Sequence, residues 1–427
     1  MQRIFKCTNV VLILLCAMYF VTYIMRQNIT VAGSAIQQEF GFSNTQLGLI
    51  FSAYAYPYLL FQIIGGWLGD HFGARRTLFV SGIVWAGATM MTSLATGLVS
   101  LFLIRVLMGF GVGATLPTAT RAMQHWVESK KRGFAQGITH SFARIGNALT
   151  PPLVAALVIA YSWRTAFVMM GAVGFLWVIV WFWYFRDDPK EHPSITEAEL
   201  ELLPERPKGP RPAVPWGPLV ARMWPVTLTY FCYGWCFWLY LTWLPLFFKN
   251  QYALDISKSA IFAAGVFVAG VIGDATGGVI SDAVLHKTGN LRLARIGVTV
   301  LGLIGALCSL FPILFAQDVT VVALCLSGGL FFIEVVIGPM WAIPMDIAPK
   351  YSGTASGLMN SGSAFAAIVS PLAAGYLIDQ TGNWFLPFLL SMGMLGTGVV
   401  TAFLMHPERP FSEEAMPLAK TSATPAE

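Results

Sequence analysis

The chain has 427 residues, of which 56% are hydrophobic and only 11% are charged, whereas about a quarter of the residues of a soluble domain carry a charge. So few charges do not cover the surface of a soluble protein of this length. The composition therefore excludes that class and predicts an all-α polytopic membrane protein in contact with the lipid bilayer. The six cysteines show no metal-type spacing, so we expect no metal and no cofactor.

Twelve apolar windows are each long enough, at about 20 residues, to cross the hydrocarbon core of a bilayer. We number them spans 1 to 12, at approximately residues 10–32, 47–69, 77–97, 98–120, 134–160, 165–184, 224–247, 258–281, 294–316, 319–345, 354–377 and 382–405. The first window is too long for the hydrophobic region of a signal peptide and lacks its cleavage site, so we retain it as a span.

Lysine and arginine in the loops predict the orientation, because cytoplasmic loops carry an excess of both. Of the 26 lysines and arginines, 20 lie on the side of both termini, three lie on the other side and three fall within spans. We therefore expect cytoplasmic termini and a multi-pass protein of a bacterial-type inner membrane. The net charge of +5 is then a topology signal and indicates no nucleic-acid partner.

Span 1 carries Arg26 in an apolar run that holds no other charge from Val10 to Glu39. An arginine at membrane depth costs a few kcal/mol and therefore faces a polar cavity or a partner. Its planar fork of donors suits bidentate recognition of a carboxylate. Two interpretations stay open: contact with an anionic ligand, or a structural salt bridge.

The loop after span 2 reads "GWLGDHFGARRTL" and contains Asp70, Arg75 and Arg76. Positive charges after a tight turn are ordinary on the cytoplasmic side, but that explanation leaves Asp70 and its neighbouring glycines unexplained. Span 4 follows with "RVLMGFGVGATLP", which places Arg105 inside the membrane beside a run of small residues.

Span 5 carries His140 and Arg144 four residues apart, hence on one helix face. A histidine titrates near neutral pH, so His140 is a candidate proton relay, with a packed neutral side chain as the alternative. Arg144 is a further candidate cation for an anion, or a partner for an acid across the cavity.

The longest polar segment, residues 186–218, separates six spans from six. We predict a first six-helix bundle at residues 1–185, a cytoplasmic linker at 186–222, a second bundle at 223–406 and a cytoplasmic tail at 407–427. Within the linker, Ser194 followed by Glu197 is a capping-box pattern, which predicts a short helix.

The two halves are related by repetition. Five small or helix-kinking residues of span 5 recur in span 11 at a constant offset of 220 residues: Gly133 and Gly353, Ala135 and Ala355, Gly137 and Gly357, Ser141 and Ser361, and Pro151 and Pro371. Span 2 ends "GGWLGD" and span 8 ends "GGVISD", so Asp70 corresponds to Asp282. Parallel repeats of six spans are typical of transporters with a central site between the halves.

The second half offers two acids for proton transfer. Glu334 precedes Trp341 by seven residues, which places both on one helix face. A carboxyl that faces a cavity can load and release a proton as access alternates. Asp274 lies two turns before Asp282 and either joins the site or belongs to the loop network. In span 7, Trp238 either faces the cavity or packs within an aromatic-rich helix.

These motifs resemble those of the major facilitator superfamily, and the whole chain resembles its anion:cation symporter family. The matching segments are "RQN" at Arg26, "FSAYAYPYLLFQIIGGWLGD", Arg105, "WRTAF", "FRDDPKEHP" and "PMDIAPKYSGTASGLMNSG". The resemblance implies a fold of 12 transmembrane helices in two six-helix repeats. It also implies a cytoplasmic gating network at Asp70, Arg75 and Arg76, with Asp282 as the remnant in the second half.

The resemblance implies substrate contacts at Tyr23, Arg26, Tyr58, Trp341 and Asn360, and a role for Arg105 in binding or coupling. Members of this family carry organic acids, so we expect a monomeric secondary transporter, and not an enzyme, that takes up a small organic anion together with protons.

Two departures from the family pattern concern the proton. Met25 occupies the position before the span-1 arginine where related bacterial symporters have an aspartate, and Val112 occupies the position of a span-4 glutamate. The proton therefore needs another carrier, for which Glu334, His140 and Asp274 are the candidates. The alternative is an anion exchanger or facilitator without a proton step.

Overall fold

The computed structural model describes residues 6–128, 132–203, 214–409 and 411, and within these ranges the chain is helical and contains no β-strand. Ten of the described helices are long and apolar enough to cross a membrane. The first seven helices are α1 (Cys7–Phe40), α2 (Asn44–Ala53), α3 (Ala55–Phe72), α4 (Ala74–Met91), α5 (Leu98–Trp126), α6 (Arg132–Ala160) and α7 (Trp163–Tyr184).

The remaining helices are α8 (Glu197–Leu200), α9 (Trp216–Gln251), α10 (Ile256–Thr288), α11 (Val298–Leu310), α12 (Val319–Val335), α13 (Ile337–Ile347), α14 (Ser352–Thr381) and α15 (Leu386–Ala402). Helices α2 and α3 together form span 2, and α12 and α13 together form span 10. The short helix α8 lies in the linker, and each other helix supplies one span. The predicted all-α fold of 12 spans is confirmed.

The surface of the helical bundle is apolar where a soluble protein would be polar. Leu60, Leu103 and Val279 expose 63%, 59% and 69% of their surfaces. Such side chains are stable in contact with lipid tails, which are as apolar as leucine. The exposed leucines and valines therefore form the face that the sequence composition predicts for a membrane protein.

The helix pairs of the second half repeat those of the first. In the first half, α1 packs on α6, α3 on α5, α4 on α5 and α4 on α7. In the second half, α9 packs on α14, α10 on α12, α11 on α12 and α11 on α15. In span numbers, each pair recurs six spans later, as the internal repeat predicts.

Glycines allow several of these pairs to approach closely. A Cβ added at Gly109 would lie only 2.1 Å from the Tyr54 carbonyl oxygen, and one at Gly273 would lie 2.1 Å from the Phe331 carbonyl oxygen. Small residues at helix interfaces are a common means of close packing in membranes. Gly109 lies in the span-4 "GFGVG" motif and brings α5 against the junction of α2 and α3.

The two halves meet at the ends of the spans that lie away from the termini. There α2 packs on α14 so closely that a Cβ at Gly48 would lie 2.5 Å from the Pro371 carbonyl oxygen. The Asp379 carboxylate of α14 accepts hydrogen bonds from the backbone N–H groups of Asn44 and Thr45, at 2.9 and 2.7 Å. It therefore caps the first turn of α2 from the other half of the protein.

Three glycines nearer the opposite ends of the spans lack such a contact. A Cβ added at Gly137 in α6, or at Gly353 or Gly357 in α14, would meet no described atom within 4 Å. The close contact between the halves at Gly48 therefore does not recur at these positions.

The linker folds back onto the start of α1. Helix α8 is capped by Thr196, whose hydroxyl accepts from the Glu199 backbone N–H at 3.3 Å, so the cap lies two residues after the predicted Ser194. The Glu199 carboxylate accepts from the Thr8 backbone N–H at 3.2 Å and so caps α1 as well. The predicted boundaries of the two bundles, the linker and the tail stay a prediction.

Candidate functional site

Arg26 lies at the centre of a cage of four aromatic rings. Its guanidinium carbon is 4.6 Å from the ring centroid of Tyr23, 4.8 Å from that of Trp238, 5.6 Å from that of Tyr54 and 5.8 Å from that of Tyr58. Arg26 is only 5% exposed. Aromatic faces attract a cation, and the attraction is stronger where water is excluded. The cage therefore stabilises a buried positive charge without neutralising it.

Local structure explains how these rings converge. Tyr23 lies one turn before Arg26 on the same face of α1. Tyr54 stands at the junction between α2 and α3, and Tyr58 lies one turn later. Trp238 comes from α9 of the other half, where its indole N–H donates to Ser363 at 3.2 Å. Both halves thus contribute to the cage.

No carboxylate pairs with Arg26 within the part of the chain that the structure describes. The ion pairs found there engage other arginines, a lysine and a histidine. A buried charge without a counter-ion is costly unless a ligand supplies one. Of the two interpretations of Arg26, the structural salt bridge finds no partner among the described residues, which favours contact with an anion.

Arg105 lies behind Arg26 and is 2% exposed. Its Nη2 donates to the Arg26 carbonyl oxygen at 3.1 Å, and its Nη1 donates to the Met108 sulfur at 2.9 Å. Its guanidinium carbon also lies 5.2 Å from the ring centroid of Tyr54, so one ring serves both arginines. Arg105 therefore fixes the backbone of α1 at Arg26 and adds a second positive charge.

The other predicted contact residues divide between two places. The Tyr58 hydroxyl interacts with Arg26 and with the Asn360 side chain of α14, which brings Asn360 to the cage. Trp341 is half-exposed, and its indole N–H donates to the Tyr230 hydroxyl at 2.9 Å. The structure thus places Trp341 beside Tyr230 and gives no contact between it and the Arg26 cage.

Arg144 forms a second charged centre with two acids. Its Nε donates to Asp274 Oδ2 at 3.0 Å, and its Nη2 lies 3.0 Å from Glu334 Oε2. Glu334 is buried, and its Oε2 accepts no well-aligned hydrogen bond from any described residue. Phe237 lies over the guanidinium at 5.4 Å. Asp274 is therefore part of this cluster, and the structure shows no contact between it and Asp282.

A narrow cleft of about 230 Å³, with its open mouth included, runs beside this cluster and is lined by Arg144, Asn147 and Glu334 among others. Asn147 is buried, and its side-chain oxygen has no hydrogen-bond partner among the described residues. His140 lies edge-on to Tyr19, with ring centroids 5.5 Å apart. The His140 side chain is nevertheless exposed, so this contact tests neither the packed alternative nor the relay.

The two positions that depart from the family pattern are buried and apolar. Met25 is 1% exposed, and its terminal carbon lies 2.8 Å from where a Cβ on Gly174 of α7 would be, so the side chain packs within the first bundle. Val112 is also 1% exposed. Neither position supplies a titratable group to the Arg26 cage.

The proposed gating residues are only partly described. The side chain of Asp70 lies outside the described part of the structure, and Arg76 is exposed. The Arg75 guanidinium donates to the Phe182 carbonyl oxygen at 2.7 Å, and its backbone N–H donates to Asp187 at 3.0 Å. Arg75 therefore ties α4 to the end of α7.

Asp282, at the end of span 8, forms an ion pair with an arginine at the start of span 9. Arg295 lies 3.2 Å from Asp282 and 2.9 Å from Asp346. The sequence indicated that "DAVLHKTG" lacks the paired arginines of the first half, but it gave no sign that Arg295 replaces them across the loop. Asp346, within "PMDIAPK", belongs to the same cluster.

Sequence reasoning also missed Tyr54 as a site residue. Tyr54 precedes Tyr58 by four residues, so the helical spacing of "YAYPY" places both on one face. The structure shows that this ring contacts both Arg26 and Arg105. The spacing was therefore a usable signal for its place in the cage.

Comparison with known proteins identifies the family. The family description Major Facilitator Superfamily matches residues 15–371. The probable sulfoacetate transporter of Cupriavidus necator is 45% identical over 410 residues, with 95% of each chain covered. The hexuronate transporter of Bacillus subtilis is 30% identical, over 88% of this chain and 89% of the relative. Both relatives are named as carriers of organic acids, as the resemblance to the anion:cation symporter family implies.

Among solved structures, a bacterial homologue of the human lysosomal transporter Spinster has a TM-score of 0.78 at 17% identity, over 95% of this chain and 99% of that one. At this identity the likeness shows the fold alone. The family match, the two relatives and the shared 12-helix fold lead to one conclusion: this chain belongs to the Major Facilitator Superfamily and is a membrane transport protein, not an enzyme.

Proposed function

We propose that the protein takes up a small organic anion by alternating access, with Arg26 as the charge that binds the anion. The observation that carries this proposal is the Arg26 cage. A buried guanidinium surrounded by four rings, and without a carboxylate partner among the described residues, is an unneutralised charge that a ligand can neutralise.

Arg105 strengthens the case for an anion. It lies close enough to Arg26 to repel it electrostatically. Two like charges around one tyrosine ring raise the energy of the empty site, and an anion between or beside them lowers it. Tyr23, Tyr58 and Asn360 would contact the polar groups of the ligand, and Trp238 would close the cage from the second half.

Sulfoacetate is the first anion to test, because the relative named as its probable transporter is 45% identical over nearly the whole chain. Sulfoacetate has a sulfonate and a carboxylate on a two-carbon skeleton. Hexuronate, the named substrate of the Bacillus subtilis relative, is the larger comparison ligand.

We place the protein in a bacterial-type inner membrane as a monomer, with both termini in the cytoplasm and bundles at residues 1–185 and 223–406. The distribution of lysine and arginine supports this orientation. The closed end at Gly48 and Asp379 then faces outward. We propose that a gate at Asp70, Arg75, Arg76 and Asp282 closes the cytoplasmic side when the outer end opens.

Uptake coupled to protons is the mechanism that we favour, with Glu334 as carrier and Asp274 and His140 as the other candidates. The buried Glu334 beside Arg144 supports it. The second candidate is exchange or facilitation without protons, which the apolar Met25 and Val112 favour. Counterflow in proteoliposomes, with and without an imposed pH gradient, separates the two mechanisms. Anion accumulation that does not depend on the pH gradient supports exchange or facilitation.

The proposal is tested by sulfoacetate binding to the purified protein, measured by titration calorimetry. Arg26→Ala should weaken binding by about 30-fold or more, because loss of one partner of a buried charge pair costs about 2–5 kcal/mol. Arg26→Lys keeps the charge but loses the planar fork of donors, so it should weaken binding less. Arg292→Ala is the matched control, since Arg292 is exposed and pairs only loosely with Glu408 at 3.8 Å. Unchanged affinity in both Arg26 variants would remove this arginine from the site.

A further inference from the structure

The Arg144 cluster joins the two halves of the protein. Arg144 belongs to α6 of the first half, whereas Asp274 and Glu334 belong to α10 and α12 of the second. Helices α6 and α10 pack against each other along this contact. Any separation of α6 from α10 during transport therefore has to break two ion pairs that share one guanidinium.

The two acids hold Arg144 unequally. Asp274 accepts a direct hydrogen bond from Nε, and its side chain is 22% exposed. Glu334 is 3% exposed in its side chain, and its Oε2 lies near Nη2 without an aligned hydrogen bond. A buried carboxylate with incomplete hydrogen bonding is the costlier one to keep charged. The charge on Glu334 is therefore the costlier of the two, while Asp274 holds Arg144 by a direct hydrogen bond.

Arg144 also lies within electrostatic range of the Arg26 cage. The two guanidinium groups repel each other, and Tyr23 of the cage interacts with both. A ligand with two anionic groups therefore has one cation in the cage and a second one within electrostatic range of it. The second cation is occupied by Glu334 in the described conformation.

We propose that Arg144 is a shared cation, for which one anionic group of the substrate competes with the carboxylate of Glu334. This inference rests on the proposed function and deepens it: the substrate is a small dianion, and proton and anion are coupled at one guanidinium. A proton from the aqueous side bonds to a Glu334 oxygen and makes it a neutral carboxyl. Arg144 then exchanges that partner for the carboxylate or sulfonate of the ligand, and Asp274 keeps its hydrogen bond.

Other titratable groups face the same cluster and define the alternatives. From α9, Tyr230 and Tyr233 both interact with Glu334. From α6, His140 interacts with Arg144 and with Asp274. The tyrosines are neutral near pH 7. His140 is the group that has to be separated from Glu334 by experiment.

The test counts the protons taken up when sulfoacetate binds, by titration calorimetry of the whole protein in buffers of different ionisation enthalpy. If anion and proton binding are linked, the wild type should take up about one proton per anion near neutral pH. Glu334→Gln should bind sulfoacetate without proton uptake, and its affinity should no longer rise as the pH falls. Glu39→Gln is the matched control, because it breaks an ion pair with Arg164 that lies within the first half.

A second measurement tests the role of Arg144 with ligands of different charge. Arg144→Gln should weaken sulfoacetate binding by about 30-fold or more, and should leave the affinity for the monoanion methanesulfonate nearly unchanged. Because this variant leaves two acids without a cation, Arg144→Lys is measured in parallel and should restore part of the sulfoacetate affinity.

The results distinguish failure of the shared-cation inference from failure of the proposed function. Sulfoacetate binding without proton uptake overturns the shared cation and leaves the anion site intact. Proton uptake that persists in Glu334→Gln, or that disappears in His140→Gln instead, also overturns it. Absence of sulfoacetate binding to the wild type overturns both the inference and the proposed function for this anion.

Discussion

Replacement of Asp379 by alanine should open the end of the protein that faces away from the termini. The carboxylate belongs to α14 and accepts four hydrogen bonds from the start of α2, two from backbone N–H groups and two from the side chains of Asn44 and Thr45. Such a carboxylate also complements the positive end of the helix dipole. These bonds exist only while α2 and α14 are in contact, so their loss destabilises the closed end selectively.

The size of the effect follows from the cap. Removal of an N-terminal cap costs about 0.5–2 kcal/mol, typically near 1. Asp379 is exposed, so the upper values for buried charged hydrogen bonds do not apply. A loss of one to two kcal/mol changes an equilibrium constant by about 5- to 30-fold. The ratio of open to closed outer ends should therefore rise by that factor in Asp379→Ala.

The assay is a distance measurement between spin labels on the two halves. Cysteines at Gln38 and Lys258, both exposed near the closed end, carry the labels in a background without Cys308 and Cys325. Double electron–electron resonance should show that a larger fraction of Asp379→Ala molecules has a long distance between the two labels than in the parent protein. This larger long-distance fraction should already be present without substrate. It should shrink when a bound anion favours closure of the outer end.

The matched control is Asp318→Ala. Asp318 caps α12 by accepting from the backbone N–H groups of Thr320 and Val321, at 2.9 and 3.0 Å, and both of these hydrogen bonds lie within the second half. Its loss should lower thermal stability without a change in the distance distribution. An equal shift in both variants, or no shift in Asp379→Ala, would refute the reasoning that this carboxylate holds the halves together.

Two further predictions concern stability. Gly277→Ala should destabilise the protein by about 1–3 kcal/mol and lower its thermal unfolding temperature in detergent, because the new Cβ would lie 2.2 Å from the Val335 carbonyl oxygen. Gly265→Ala is the control: no described atom lies within 4 Å of its Cβ, so this variant should be neutral or slightly stabilising. Equal effects of the two substitutions would contradict the packing argument. For Glu199, burial raises the pKa but hydrogen bonds from Thr8 and Thr196 outweigh it, so the pKa is lowered overall. Its stabilisation is therefore fully present above the ordinary glutamate range and is lost as the pH falls below it, so the unfolding temperatures of wild type and Glu199→Gln should converge in acid.

Most of the fold was predictable because membrane insertion imposes a strong pattern. Apolar windows of about 20 residues locate the spans with few alternatives, since a backbone in lipid has to be helical. The constant offset between spans 5 and 11 predicts the repeat, which the helix pairs of the two halves reproduce. Helix ends were less predictable: α9 begins at Trp216, and the linker helix is capped by Thr196, because caps depend on local hydrogen bonds that several serines and threonines can make.

The sequence predicted which charged residues form the candidate site, but it predicted their interaction partners less well. The cost of an arginine in lipid draws attention to Arg26, Arg105 and Arg144 from the sequence alone. A pair such as Arg144 and Glu334 depends on which helices of the two halves face each other at one depth. That arrangement depends on packing contacts such as the one at Gly48, which lies far from both charges along the chain.

By itself, the sequence determined that the chain is a 12-span membrane protein with two repeated halves and three arginines at membrane depth, because hydrophobicity and charge act locally along the chain. Only the tertiary structure decided which charge is paired. It surrounded Arg26 with rings from both halves, set Arg105 against the Arg26 backbone and gave Arg144 two acids from the second half. Coulombic energy depends on distance in space, and residues far apart in the chain come within that distance only when the helices pack.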